Sequence, residues 1–279
     1  MVPTCTNVTL HQPFVVFDAG IGSYLIADMV RRRYPSQDVL YIADRGSFPY
    51  GDKNPHELLR CVQRVIDISL TADPAAIVVA SNAPTLMVFD RLSVPEQVSL
   101  RGVYPPVRQA LQLSKSKRVI VLGVKSLIES DAFKSFVSAE RGAGEAMGDV
   151  LGINASPLVE FVESGAFLSR PVFTQEQIEA FVLNVRQRAP AADVYTLSST
   201  HLPWLRPFLE HAAPDIAFLD PAQAIVESLG NITTRGSGKL VTWLTQSRSY
   251  PAADFADLIA RLRLDMSFTI VDLDKSSAK

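Results

Sequence analysis

Cysteine is scarce. The 279 residues contain two, Cys5 and Cys61, and no C-x-x-C pair, which argues against both a disulfide framework and a structural zinc site. Long apolar runs are missing as well. The longest, such as Ala75–Ala80 and Val119–Val124, fall far short of the ~20 residues a bilayer-spanning helix needs, so no membrane partner is expected. Residues 1–13 lack the basic start and apolar core of a secretory signal, and a soluble, cytoplasmic protein is the expectation. Neither sign of charge is in excess. Lys and Arg number 27 against 29 Asp and Glu, a formal net charge of -2, which leaves no basic field for nucleic-acid phosphates. No G-x-S-x-G segment signals a hydrolase elbow.

What is present is an ordinary globular composition, 47% hydrophobic and 20% charged, at a length suited to one or two domains. Short apolar runs alternate with helical patterns. Phe14–Phe17, Val39–Ala43, Ala76–Ala80, Val98–Val103, Val119–Gly123, Val194–Leu197, Ile216–Leu219 and Leu240–Leu244 read as strands. Between them, helical patterns cover Tyr24–Arg33, Glu57–Leu70 and a stretch near Pro84–Leu92. Apolar runs of four to six residues separated by helices are the pattern of buried parallel strands, so the fold class is α/β.

Two strand ends echo one another. Ile77–Ala80 runs into Ser81-Asn82-Ala83-Pro84, and Val194–Leu197 into Ser198-Ser199-Thr200-His201-Leu202-Pro203. Ligands bind beyond the carboxyl ends of strands in open α/β sheets, although small polar caps also suit any strand-to-helix junction. Of the four histidines, His11, His56 and His211 fall in an arm or in helical, exposed contexts. Only His201 stands at a strand end among polar groups, where acid–base work is natural. Asp18 holds the equivalent place after the first strand, as a functional carboxylate or as a cap for the next helix.

Nucleotide motifs fit poorly. Gly20-x-Gly22 follows a strand, with Asp44 at 24 residues from Gly20, but Leu25 occupies the position where close helix–strand packing demands Gly or Ala. Gly236-Ser237-Gly238-Lys239 imitates a phosphate loop, yet Thr233 replaces its first Gly and Leu240 its magnesium-binding hydroxyl, and the segment reads as a solvated turn.

Taken together, the motifs resemble those of the glutamate racemases of the aspartate/glutamate racemase superfamily, over nearly the whole chain. Phe17-Asp18-Ala19-Gly20-Ile21-Gly22 is similar to the family's F-D-S-G-V-G opening, and Asp44 through Pro49-Tyr50-Gly51 to its D-x-x-x-x-P-Y-G loop. Ser81-Asn82-Ala83 falls where the family has Cys-Asn-Thr, and Ser199-Thr200-His201-Leu202-Pro203 where it has Cys-Thr-His-Tyr-Pro. Val162-Glu163-Ser164-Gly165 resembles its V-E-x-G segment, and Trp243-Leu244-Thr245 with Phe255–Leu262 its terminal strand and helix. The resemblance implies two similar lobes, each a mainly parallel sheet flanked by helices, with the active-site cleft between them. It implies a discontinuous first lobe, residues 1–104 plus 212–279, and a second lobe of residues 105–211. It also implies cofactor-independent chemistry, with no metal, and a homodimer.

In the family, two thiols remove and return the substrate's α-proton. Here Ser81 and Ser199 stand in their places. A thiol ionises near ~8.5, whereas an alcohol is less acidic than even a phenol at ~10, a handicap of at least about 2 kcal/mol in forming the base. Departures elsewhere include Ala19, Ala83, Val124 and Leu127 in place of hydroxyl-bearing family residues. The candidate catalytic groups are therefore Ser81, Ser199, His201, Asp18 and Glu163. The candidate binding groups are Asn82, Ala83, Thr200 and the backbone of Pro49, Tyr50 and Gly51. The expected activity is acid/base chemistry on a small amino acid or carboxylate rather than two-thiol racemisation. The alternative is a catalytically inactive homologue that binds a small carboxylate in a regulatory role.

Overall fold

The computed structural model describes residues 9–141, 148–232 and 236–273, so Cys5 and Thr233 lie outside the described residues. The chain divides into two compact units, Met1–Val103 with Ala222–Lys279, and Tyr104–Pro221. The first opens with β1 (Phe14–Asp18), α1 (Tyr24–Arg33), β2 (Val39–Asp44), α2 (Pro55–Leu70), β3 (Ala76–Val79), α3 (Asn82–Met87) and β4 (Ser99–Gly102). The second begins with α4 (Val107–Leu113), β5 (Arg118–Gly123), α5 (Lys125–Ile128), α6 (Asp131–Arg141) and β6 (Asp149–Asn154). It continues through α7 (Ser156–Glu163), α8 (Ala166–Ser169), α9 (Pro171–Arg188), β7 (Val194–Ser198), α10 (Arg206–Ala212) and β8 (Ala217–Leu219). The chain then returns with α11 (Ala222–Glu227), β9 (Leu240–Thr245), α12 (Ala252–Leu262) and β10 (Thr269–Ile270).

The first sheet has the order β10-β9-β2-β1-β3-β4 and the second β6-β5-β7-β8, with every neighbouring pair parallel. One expected boundary is corrected. Residues 212–221, assigned to the first lobe from sequence, carry β8, which pairs with β7 from Val194↔Ala217 to Thr196↔Leu219 and so belongs to the second sheet.

Strands β1, β2 and β3 are buried throughout because helices cover both faces of the sheet. Val15, Phe17, Leu40, Ile42, Ile77 and Val79 face a core shared with Leu58, Val62, Val65 and Ile66 of α2. The alternate residues turn to the α1 side, where Phe14 meets Tyr34 and Tyr41 meets Tyr24 edge-on. Helix α2 starts two residues before the predicted Glu57, at Pro55. Asn54 accepts hydrogen bonds from the His56 and Glu57 amides at 3.1 and 3.0 Å, and Glu57 reaches back to the Asn54 amide.

The phosphate-loop look-alike is a half-exposed turn closed on a carboxylate of its own chain. Asp38 Oδ1 accepts from the Ser237 amide at 2.7 Å, the Ser237 hydroxyl at 3.1 Å and the Lys239 amide at 3.1 Å. Burial by itself would raise the Asp38 pKa, but these donors and the His11 amide hold it below the usual value.

Asp193 plays the same part in the second unit, just before β7. It accepts from the Ser114 hydroxyl and from the amides of Lys115 and Ser116 at 2.5, 2.8 and 3.0 Å. Burial opposes ionisation, and these hydrogen bonds overcome it and lower the pKa from 3.8 to about 2. A folded-state pKa below the unfolded value contributes stability that is present above pH 3.8 and lost as pH falls to about 2. Asp193→Ala is expected to destabilise the fold at neutral pH by about 1–3 kcal/mol. Denaturant unfolding of variant and native protein should show that difference shrinking below pH 4; a pH-independent difference contradicts the assignment.

Candidate functional site

Strand order decides where a parallel sheet opens. In the first unit the chain passes from β1 to β2 on one side and then to β3 on the other, so the order reverses between β1 and β3. Asp18 ends β1, and Ser81 and Asn82 follow β3. In the second unit the reversal lies between β5 and β7, and Ser199, Thr200 and His201 follow β7. The two echoing segments thus occupy equivalent topological positions in their own units. The prolines do as expected, Pro84 in the first turn of α3 and Pro203 in that of a short 3-10 helix, Leu202–Leu205.

Asp18 is buried, and its Oδ1 accepts the Ala19 amide at 2.7 Å. It is not the cap of α1, a place taken by Ser23. Ser81 is half-buried at the head of α3, and its hydroxyl makes no hydrogen bond to a described residue. Asn82 is 2% exposed; its Nδ2 donates to the Val103 carbonyl at 2.9 Å, while its Oδ1 is buried with no hydrogen-bond partner. A buried amide oxygen left unsatisfied is costly, and such an atom is poised to accept from an incoming donor. Ala83 is buried beside it.

The Asp44–Gly51 loop is built around a network that sequence reading did not foresee. Asp44 is fully buried at the end of β2. Its Oδ2 accepts from the Tyr50 hydroxyl at 2.9 Å and its Oδ1 from the Thr245 hydroxyl at 2.6 Å. Thr245 Oγ1 accepts in turn from the Gly46 amide at 2.7 Å. A Cβ on Gly46 would stand 2.9 Å from that same oxygen, which leaves glycine as the residue that fits. Burial first, then the charges of Asp44 and Asp18, push the Tyr50 pKa well above its ordinary value. The Tyr50 side chain is therefore committed to the loop, and what remains for a ligand is backbone, at Pro49 and Gly51, both half-buried. Arg45, also missed from sequence, is buried with its guanidinium 5.4–5.6 Å from the ring centres of Phe48, Tyr250 and Phe255.

In the second unit, His201 Nε2 lies 2.6 Å from Glu163 Oε1, with side chains 7% and 4% exposed. Glu163 closes α7 and reaches a residue 38 positions away in the chain. Ser199 and Thr200 are buried beside the pair, but the Ser199 hydroxyl makes no hydrogen bond to His201 or to any other described residue. Ser198 turns inward instead, 2.8 Å from the Thr196 hydroxyl. His56 and His211 are exposed on α2 and α10, and His11 is exposed ahead of β1. Cys61 is half-exposed within α2. Among the described residues no group of three or more His, Cys, Asp or Glu side chains could hold a metal ion, and no helix is long and apolar enough to cross a membrane.

Two all-parallel units, each with polar side chains beyond the point of strand reversal, define an α/β protein of the class that takes ligands at strand ends. No protein-family profile matches the chain. The curated glutamate racemase of Ralstonia nicotianae is 30% identical over 223 residues, 79% of this chain and 77% of the relative. That of Pseudomonas syringae pv. tomato is 27% identical over 261 residues, 92% of this chain and 90% of the relative. Among solved structures, glutamate racemase isoform RacE1 from Bacillus anthracis shares the fold with a TM-score of 0.79, at 20% identity over 94% of this chain and 98% of its own. Escherichia coli glutamate racemase, solved with L-glutamate and the activator UDP-MurNAc-Ala, shares it with a TM-score of 0.78, at 19% identity over 93% of this chain and 98% of its own. The chain belongs to the glutamate racemase family.

Proposed function

We propose that this protein is a racemase-type enzyme that moves the α-proton of a small amino acid or carboxylate without a cofactor, using the His201–Glu163 pair as its base in place of a thiol. The buried 2.6 Å contact between those two side chains carries the reading. A carboxylate held against the imidazole fixes the orientation of the ring and stabilises the imidazolium that forms when His201 takes up a proton. In the second unit Ser199 and Thr200, on the same strand-end segment as His201, offer hydroxyls to a ligand; in the first, the buried Asn82 Oδ1 is an acceptor suited to an ammonium group. The first unit further offers the Pro49 and Gly51 backbone and Asp18, with Ser81 and Ala83 flanking Asn82 in the chain. Glutamate, the ligand of the Escherichia coli structure, is the first substrate to try. We extend the reading to a cytoplasmic homodimer on the strength of the family resemblance.

A second reading, a binding protein without turnover, is favoured by one observation: neither the Ser81 nor the Ser199 hydroxyl is hydrogen-bonded to a base. Incubation with D- and L-glutamate, aspartate and related acids in heavy water separates the two. The enzyme reading expects loss of the α-proton NMR signal, with His201→Asn reducing the rate by about 10²–10⁴-fold, the usual contribution of a positioned acid–base group. Tight binding without exchange after long incubation would instead establish the binding protein.

A further inference from the structure

Away from the strand ends, the solvent side of α2 carries a concavity of about 900 Å³. Lys53, Arg60 and Arg64 line it from α2 and its entry, and Arg91 from the turn that follows α3. Gln63 locks those walls together, donating to the Ser93 carbonyl and accepting the Ser93 amide, both at 2.9 Å. Two carboxylates, Asp52 and Glu57, share the lining, but Glu57 is turned to the helix cap at Asn54. The side chains of Lys53, Arg60 and Arg91 make no hydrogen bond or ion pair with a described residue. None of the lining residues belongs to the candidate site described above.

We propose that this cavity binds a small polyanion, a molecule carrying two or more carboxylate or phosphate groups. Cations gathered on concave walls focus positive potential into the cavity. Arginine forks suit the planar or tetrahedral oxygens of either anion, and the volume is that of a small-molecule site. The site stands whether or not the chain catalyses proton transfer.

Cys61 lies in the lining and reports occupancy. In Cys5→Ser protein it is the remaining thiol, and its labelling by an uncharged dipyridyl disulfide is timed with pyrophosphate or with citrate, at ionic strength held constant with sodium chloride. The proposal expects slowing by about threefold or more at millimolar anion, the factor mass action gives for a ligand at twice its Kd. Protection by pyrophosphate alone identifies a phosphate ligand and protection by citrate alone a carboxylate one; either supports the site. Arg60→Gln with Arg91→Gln removes two exposed, unpaired side chains and should abolish protection with the fold intact. Labelling that neither anion slows, or protection that persists in the double variant, overturns the proposal.

Discussion

Replacing Ser81 and Ser199 together by cysteine is expected to raise α-proton exchange of glutamate, or of the acid the native protein prefers, by about 10²-fold or more. The direction follows from acidity. A thiol near ~8.5 provides a thiolate at neutral pH that an alcohol cannot. The substitutions should be tolerated, because each exchanges one atom and neither native hydroxyl makes a hydrogen bond that would be lost. Heavy-water NMR of the double variant and of each single variant measures the effect. An unchanged rate in a folded double variant with two titratable new thiols would show that the chemistry does not run through positions 81 and 199. The alanines at positions 19 and 83 would then be the first residues to restore to hydroxyls.

The strands buried on both faces were legible because consecutive β-branched and aromatic residues declare them, as in Phe14–Asp18 and Val119–Gly123. Strand β6 was not. Its edge position leaves Asp149 and Asn154 exposed, and Gly152 breaks the apolar run where Ile128 and Phe133 would meet a Cβ at 2.7 and 2.8 Å. Strand β10 is two residues long and too short to carry a pattern. The return to the first unit was placed too early because nothing in Ala217–Leu219 says which sheet a strand will join. The same limit applied to the site. Strand-end positions follow from local pattern, and the positions of Asp18, Ser81, Asn82 and His201 were readable. Contacts between distant residues were not. Thr245 meets Asp44 across 201 residues of chain, and the aromatic rings around Arg45 are supplied partly by Tyr250 and Phe255, far along the sequence.

The Asp44 network yields the other large effect, on stability. Asp44→Ala removes the acceptor of two hydrogen bonds in a fully buried setting and strands the Tyr50 and Thr245 hydroxyls. Each stranded group costs about 1–3 kcal/mol, so a loss of about 3–5 kcal/mol is expected, enough to consume much of a typical domain's stability. Tyr50→Phe removes one donor and leaves Asp44 its bond to Thr245; it should cost about 1–2 kcal/mol. Because the two residues share one network, the double variant should be less destabilised than the two single losses added together, by about 0.5–3 kcal/mol. Strict additivity in denaturant unfolding would mean that the hydroxyl and carboxylate are not coupled. Alkaline pH offers an independent check. The folded Tyr50 pKa lies above the unfolded value of 10.0, so its contribution is fully present below pH 10 and is lost as pH rises toward the folded value. Native protein should lose stability across that range more steeply than Tyr50→Phe, which has no phenol to ionise there. If the two alkaline limbs run parallel, the raised pKa and the buried hydrogen bond that accompanies it are both contradicted.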